Sequence, residues 1–209
     1  MSMSFVSYIL NGISLGSVYA IIALGYTMVY GIAKMLNFAH GDIIMVGSYV
    51  AFIAINSMGL PVPVSILLSV VVCTVLGMVI ERVAYKPLRH ASKLAVLITA
   101  IGASYFLQNV ALLIFGANTK SFTSIVGNGS VQLAGGALSV TMVTIVTVIA
   151  CVVIMIGLMA FMKYSKAGHA MLAVSEDDGA AQLMGINVNA TIALTFAIGS
   201  GLAAVAGIL

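Results

Sequence analysis

The chain has 209 residues, of which 62% are hydrophobic and 6% charged, and its mean hydropathy is +1.22. Soluble domains typically carry about 25% charged residues, so this composition excludes a globular domain with a fully water-facing surface and indicates an integral membrane protein. The formal net charge of +3 is small and its basic residues cluster in short connections, which argues against nucleic-acid binding.

Six apolar segments follow one another along the chain, and most are long enough to cross a bilayer as helices. They cover residues 5–32, 43–55, 62–84, 94–115, 138–162 and 190–209. The sequence therefore predicts an all-α, polytopic transmembrane bundle of about six spans that forms a single domain, 1–209. The second segment is short, so residues 34–55 form either a broken or re-entrant helix or a tilted full span. The last segment is still apolar where the sequence stops, and we expect further helices to follow it.

Polar side chains recur at helical spacing along the first span, and they include Asn11, Tyr19 and Tyr26. Gly12 and Gly16 form a GxxxG beside this stripe, which permits close backbone approach. Polar groups in hydrocarbon tend to face a bundle interior or a cavity. The stripe therefore predicts either a helix interface or one wall of a translocation path. The fourth span carries polar residues with the same two interpretations, namely Thr99, Ser104, Gln108 and Asn109.

The segment Asn37-Phe38-Ala39-His40-Gly41-Asp42 places an amide, an imidazole and a carboxylate at the start of the second apolar segment. The helix dipole would favour Asp42 at that position, and Gly41 permits a sharp bend. One interpretation is interfacial capping. The other is a structured break near a translocation path, such as transporters use to expose backbone groups to a substrate.

Basic residues predict the orientation of the bundle, because cytoplasmic loops are enriched in Lys and Arg. Seven of the eight basic residues fall on one side when successive loops alternate. These seven are Lys34, Arg82, Lys86, Arg89, Lys93, Lys163 and Lys166. We therefore expect their connections to be cytoplasmic, and the N-terminus and the 117–137 loop to lie on the opposite side with Lys120.

The connection 163–189 is long for a bundle loop and predicts a short cytoplasmic helix. Ser175 to Asp178 has the form of a capping box, with acidic residues in the first helical turn. The predicted helix contains Ser175, Asp178, Ala180, Ala181 and Leu183, and ends at Gly185. Helices that lie on a membrane surface usually present Lys or Arg to anionic lipid, whereas this one presents acids. Contact with a protein partner is therefore favoured over simple location at the membrane surface.

Two stretches, Asn37-Phe38-Ala39-His40-Gly41 and Ala180-Ala181-Gln182-Leu183-Met184-Gly185-Ile186-Asn187, are similar to a known family. They resemble the inner-membrane permeases of high-affinity branched-chain amino-acid ABC importers. The resemblance covers essentially the whole chain, and it is closest to the subunit that pairs with a second, related permease in the leucine/isoleucine/valine system.

The resemblance implies a bacterial inner-membrane complex of two permeases, two cytoplasmic ATPases and a periplasmic amino-acid binding protein. The N-terminus and the 117–137 loop would then be periplasmic. Permeases of ABC importers present a cytoplasmic coupling helix with a Glu-Ala-Ala-x-x-x-Gly pattern, which Ala180, Ala181 and Gly185 match. Gly179 stands where that pattern has its acid, and Asp178 lies one position earlier.

The resemblance implies no cofactor in this chain. The sequence contains no Gly-x-x-x-x-Gly-Lys-[Ser/Thr] motif, so ATP would be hydrolysed by partner subunits and the chain is not expected to be an enzyme. Within the same family, urea or a short amide is the alternative cargo. A secondary transporter would need an ionisable residue deep in a span, and a membrane enzyme would need a catalytic constellation that His40 and Asp42 suggest only weakly.

Overall fold

The computed structural model describes residues 2–89, 91–118, 120, 129–133 and 138–209. Its α-helices, in chain order, are α1 (Ser2–Ala33), α2 (His40–Asn56), α3 (Val62–Ile80), α4 (Lys93–Phe115), α5 (Met142–Tyr164), α6 (Lys166–Glu176), α7 (Asp178–Leu183) and α8 (Val188–Ile208). A π-helical turn, Glu81–Tyr85, and a 3-10 turn, Lys86–Leu88, continue α3. The predicted helical membrane bundle is confirmed.

Five helices of the described chain are long and apolar enough to cross a membrane, namely α1, α3 with its continuation, α4, α5 and α8. The helix α2 has 17 residues and is the short apolar segment that the sequence predicts. It does not extend back through Asn37, because α2 begins at His40 and residues 34–37 are irregular. The structure therefore has a break before α2 rather than a long tilted helix.

The predicted start of the fifth span, residue 138, is wrong by four residues. Leu138–Thr141 forms a strand, β2, that pairs antiparallel with β1 (Ser130–Leu133), and α5 begins only at Met142. The β-branched and apolar residues of β2 suit a strand as well as a helix, so hydropathy alone does not separate them. Most of the predicted 117–137 loop, including 121–128 and 134–137, lies outside the described residues.

The helix α8 occupies the centre of the bundle, where it packs against α1, α2 and α3. In its most apolar stretch 61% of the residues are buried, against 6% in α1. Small residues make this possible, because Gly199, Ala203 and Gly207 of α8 pack closely against its neighbours. A Cβ added at Gly207 would lie 2.6 Å from the carbonyl oxygen of Ile44, so only glycine permits this approach of α8 to α2.

The helices α3 and α8 also approach each other closely. A Cβ added at Gly77 would lie 1.9 Å from Oγ of Ser200 and 3.1 Å from the carbonyl oxygen of Phe196. Hydroxyls complete the interfaces: Ser69 donates a 2.7 Å hydrogen bond to the carbonyl of Gly47, and Ser48 donates a 2.6 Å hydrogen bond to the carbonyl of Gly207. Such bonds give buried hydroxyl groups acceptors in a medium without water.

Candidate functional site

The site centres on the break between α1 and α2. The helix α1 ends at Ala33, and Lys34 adopts a left-handed conformation with φ of 55°, which turns the chain out of the helix. The chain re-enters a helix at His40, whose N–H donates a 3.2 Å bond to the carbonyl of Asn37. Asn37 is 2% and His40 3% exposed, so both polar side chains of the break point into the protein.

Asn37 is held by Tyr85, which lies at the end of the π-helical turn. The Tyr85 hydroxyl is 3.1 Å from Oδ1 of Asn37 and 3.3 Å from the carbonyl oxygen of Leu36. The Tyr85 ring is 1% exposed and packs against Phe196 of α8 with ring centroids 5.2 Å apart. The Nδ2 of Asn37 is buried and has no hydrogen-bond partner among the described residues.

His40 lies between α1 and α8. Its ring makes an edge contact with Tyr26 at a centroid distance of 5.9 Å, and a Cβ added at Gly25 would lie 3.0 Å from Cε1 of His40. The same Cβ would lie 3.0 Å from the carbonyl oxygen of Gly199, so α1, α2 and α8 pack here too closely for a side chain at position 25. The Nε2 of His40 is buried and unpartnered within the described chain. Buried polar atoms without a partner are rare in native structures, which makes this atom a candidate for a functional role.

Asp42 joins the break to α4. It is 7% exposed and accepts hydrogen bonds from the Ser104 hydroxyl and, at 3.0 Å, from Nε2 of Gln108. The side chain of Gln108 also lies 3.2 Å from Oγ of Ser104. The structure therefore brings together one residue of the predicted break, Asp42, and two of the predicted fourth-span residues, Ser104 and Gln108.

In the described chain, three predicted pathway residues lie outside the cluster that Asp42 forms with α4, namely Asn11, Tyr19 and Asn109. Asn11 is exposed and Tyr19 is 61% exposed, both on an uncovered face of α1. Gly12 and Gly16 have no described atom within 4 Å of an added Cβ, so this GxxxG makes no close helix contact here. Asn109 is exposed and donates a 2.7 Å bond to the carbonyl of Tyr105 in its own helix.

Sequence reasoning missed a buried ion pair beside the break. Glu81 and Arg89 form a salt bridge with side chains 4% and 10% exposed, and Arg89 also donates a hydrogen bond to Oδ1 of Asn189 at the start of α8. From the sequence, Arg89 is predicted only as one of the basic residues that set the orientation of the bundle. The available signal was Glu81, an acid at the end of an apolar span that needs a buried cationic partner.

The short helix predicted within residues 163–189 is present, but its predicted cap is wrong. Ser175 lies in the last turn of α6 and donates a 2.7 Å bond to the carbonyl of Leu172. The N-cap of α7 is Asp177, whose Oδ1 accepts a 2.9 Å bond from the N–H of Ala180. Asp177 is suited to this role, because a side-chain carboxylate at the N-terminus of a helix accepts the capping hydrogen bond and also interacts favourably with the helix dipole.

The end of α7 is the one that the sequence predicts. Gly185 has φ of +83°, and the N–H of Ile186 donates a 3.0 Å bond back to the carbonyl of Ala181, as in a Schellman motif. Ala181 is 4% exposed and fixes α7 to the bundle, whereas Leu183 and Met184 are 90% and 83% exposed. Two large apolar side chains therefore project from the end of a short, acid-capped helix.

A cavity of about 1340 Å³ lies between the break and α7. Its walls are the loop before α2, the start of α4, the α6–α7 junction and the start of α8. Charged residues lining it include Lys34, Arg89, Lys93, Glu176, Asp177 and Asp178. The described residues contain no group of three or more His, Cys, Asp or Glu side chains placed to hold a metal ion. The arrangement thus provides a polar vestibule next to a packed break, without the groups that metal chemistry requires.

Comparison with known proteins identifies the family of the chain. Residues 8–209 match the family model "Branched-chain amino acid transport system / permease component". The chain is 43% identical to the high-affinity branched-chain amino acid transport system permease protein LivH of Escherichia coli K12 and 45% identical to BraD of Pseudomonas aeruginosa, in each case over 98% of this chain and 70% of the relative.

A more distant relative is a probable branched-chain amino acid transport permease of Methanocaldococcus jannaschii, which is 30% identical over 90% of this chain and 60% of its own length. No solved structure matches the chain. The family match covers nearly the whole sequence, including the break and α7. This chain therefore belongs to the family of permease components of branched-chain amino acid transport systems.

Proposed function

We propose that this chain forms half of the translocation pathway of an ATP-driven importer for leucine, isoleucine and valine. The observation that carries the proposal is its 42–45% identity, over 98% of its length, to permeases named for high-affinity branched-chain amino acid transport. As a multi-pass permease component the chain is a transport subunit rather than an enzyme, and it works with other subunits of its system.

The break before α2 is the proposed position of the pathway. Asn37 and His40 each hold a buried polar atom that no described group satisfies, and Asp42 lies two residues after His40 in the first turn of α2. Transporters commonly place irregular backbone and helix ends at the substrate site. Gln108 and Tyr26 complete the wall through their contacts with Asp42 and His40.

The uncovered polar residues of α1 and α4 are the proposed contribution of this chain to a pathway shared with another subunit. Asn11, Tyr19 and Asn109 are exposed here, and polar groups are costly to leave against lipid. A second, homologous permease would cover them and leave a channel poor in fixed charge. Such a channel suits a zwitterion with an apolar side chain.

The proposed partners besides that permease are two cytoplasmic ATPases and a periplasmic binding protein, in a bacterial inner membrane with the N-terminus of this chain in the periplasm. The clustering of basic residues in the connections after α3 and α5 supports this orientation. With that orientation, α6, α7 and the charged cavity all lie on the cytoplasmic side.

The proposed contact with the ATPase is α7 together with the residues around it. Leu183 and Met184 offer apolar side chains to a groove on the partner, and buried Ala181 ties α7 to the bundle. Gly185 ends the helix, and the N–H of Ala180 donates to its Asp177 cap. Asp178 is the first residue of α7, and Ser175 lies in the last turn of α6. ATP-driven closure of the ATPases would displace α7 and, through it, the start of α8.

The test is uptake of radiolabelled leucine into proteoliposomes that contain the complete transporter and the binding protein. We expect uptake that requires ATP on the side of the vesicle membrane that carries the ATPases. Proton and sodium ionophores should not affect this uptake. Excess isoleucine and valine should compete, whereas urea and acetamide should not. Uptake that persists without ATP, or that urea abolishes, would overturn the assignment.

A further inference from the structure

Arg89 bridges the π-helical turn that follows α3 and the first turn of α8. One branch of its guanidinium pairs with Glu81 in the π-helical turn after α3, and the other donates to Oδ1 of Asn189 in the first turn of α8. The Arg89 side chain is nine-tenths buried and that of Glu81 is buried, so this ion pair lies inside the protein, whereas Asn189 is exposed. Buried charge pairs are strongly coupled to the positions of their partners, because an unpaired charge there is very unfavourable.

The same π-helical turn also holds the break. Four residues after Glu81, the Tyr85 hydroxyl contacts Oδ1 of Asn37 and the carbonyl of Leu36, and its ring packs on Phe196. A π-helical turn inserts an extra residue into the helix and changes the direction of the side chains that follow it. Here it lets Glu81 face Arg89 while Tyr85 faces the break, although both belong to one short turn.

At its other end the bridge is close to the proposed ATPase contact. Asn187 caps α8 by accepting a 3.1 Å bond from the N–H of Ala190, and only Gly185 and Ile186 separate this cap from Met184. A displacement of α7 must therefore move the first turn of α8, which carries Asn189. The described contacts run from there through Arg89, Glu81 and Tyr85 to Asn37.

We propose that Arg89 is a positioning residue that couples movement of α7 and the start of α8 to the Asn37–His40 break. It does not touch the substrate; it acts through Glu81 and Tyr85 on the side chains that do. This inference rests on the proposed function, because it needs an ATPase that moves α7. The planar fork of arginine is essential to it, since a lysine provides a single compact charge and cannot hold Glu81 and Asn189 in fixed directions together.

The test uses the assembled transporter and a cysteine placed at the break, Phe38→Cys, because Phe38 is 45% exposed and the native Cys73 and Cys151 are buried. The rate of alkylation of this cysteine is measured without nucleotide and with ATP and vanadate. We expect the two rates to differ by about fivefold or more, the usual scale of coupling between distant sites. Asn189→Ala and Arg89→Lys, each in the same background, should reduce that difference to less than about twofold.

Arg82→Gln is the matched control, because Arg82 belongs to the same π-helical turn but is exposed. It should leave the nucleotide dependence unchanged. Asn189→Ala removes only an exposed amide and leaves the Glu81–Arg89 pair intact, so its effect does not depend on loss of folding. Normal nucleotide dependence in both Asn189→Ala and Arg89→Lys would overturn the inference, as would an absence of nucleotide dependence in Phe38→Cys itself.

A double-mutant cycle supplies the final criterion. If Asn189 and Tyr85 act through one connection, Asn189→Ala and Tyr85→Phe together should reduce the nucleotide dependence no more than the stronger single change does. Additive effects would contradict a shared connection. The labelling does not depend on cargo, so failure of leucine uptake with nucleotide-dependent labelling intact would reject the proposed substrate and leave the coupling role of Arg89 standing.

Discussion

The carboxylate of Asp42, in the first turn of α2, accepts a 3.0 Å hydrogen bond from the side-chain amide of Gln108 in α4. Ser104, one turn earlier in α4, donates to the other carboxylate oxygen. An acid in the first turn of a helix is stabilised by the dipole, and here two donors from a second helix add to that effect. The pair therefore fixes the short helix α2 to the long helix α4 at the level of the break.

Asp42→Ala should destabilise the protein and impair uptake, because it leaves the half-buried Ser104 hydroxyl and the Gln108 amide without their acceptor. Loss of one partner of such bonds typically costs about 1–3 kcal/mol. Thermal unfolding of the purified complex and the initial rate of leucine uptake measure the two effects. Asn109→Ala is the control, since Asn109 bonds only within α4 in the described contacts and should change the unfolding free energy by less than about 0.5 kcal/mol.

His40→Ala should impair transport without preventing assembly, because the imidazole packs the break against α1 while its Nε2 remains unused for folding. Gly25→Ala should act in the same direction, since the added Cβ would lie 3.0 Å from the His40 ring. Gly31→Ala, in the same helix with no described atom within 4 Å of its added Cβ, is the matched control. Copurification of the subunits and uptake are measured together. Uptake at the wild-type rate in His40→Ala would favour simple capping.

Gly77→Ala should weaken the packing of α3 on α8, because the added Cβ would lie 1.9 Å from Oγ of Ser200 and 3.1 Å from a backbone oxygen. Overpacking of this kind typically costs about 1–3 kcal/mol. The midpoint of thermal unfolding in detergent should fall, and Gly102→Ala in α4, where an added Cβ has no described neighbour within 4 Å, should leave it unchanged or raise it slightly. Equal midpoints for the two variants would contradict the close contact between α3 and α8.

Leu183→Ser should weaken copurification with the ATPase and reduce uptake without lowering thermal stability, because Leu183 is 90% exposed in the chain alone. Leu172→Ser, in the neighbouring helix α6 and 53% exposed, should leave copurification unchanged. Gly185→Leu should have a different effect, since the left-handed backbone at φ +83° strains any residue with a side chain. It should distort α7 and lower uptake per ATP hydrolysed. Normal ATPase copurification by Leu183→Ser would argue against α7 as the contact.

The long spans could be predicted from the sequence because hydropathy over about 20 residues is a signal that tertiary contacts rarely reverse in lipid. The start of α5 could not, because Leu138–Thr141 contains the apolar Leu138 and the β-branched Val140 and Thr141, a composition that suits either a strand or a helix. The prediction that Ser175 caps the helix α7 was wrong for a related reason. Asp177 also satisfies the requirements of an N-cap, and only the extension of α6 through Glu176 decides between the two.

The members of the site could be predicted singly, but their grouping could not. His40 and Asp42 are conspicuous as polar residues beside an apolar helix, whereas the contact of Asp42 with Gln108 joins positions 66 residues apart and follows from helix packing. Asn11 and Tyr19 have the right spacing for an inward stripe, yet within this chain their face is uncovered. The role of Arg89 could not be predicted for another reason. A count of basic charges treats every arginine as solvated, whereas this one is buried against Glu81.

The exposed end of α7 has a consequence for the lifetime of the subunit in the cell. Leu183 and Met184 meet water whenever the proposed ATPase is absent, and apolar side chains in that position invite aggregation or capture by chaperones and proteases. Binding of the partner would stabilise the permease by mass action, to a degree set by the concentration of free ATPase. The abundance of the permease would then follow that of its motor, and surplus copies would be removed without any dedicated regulator.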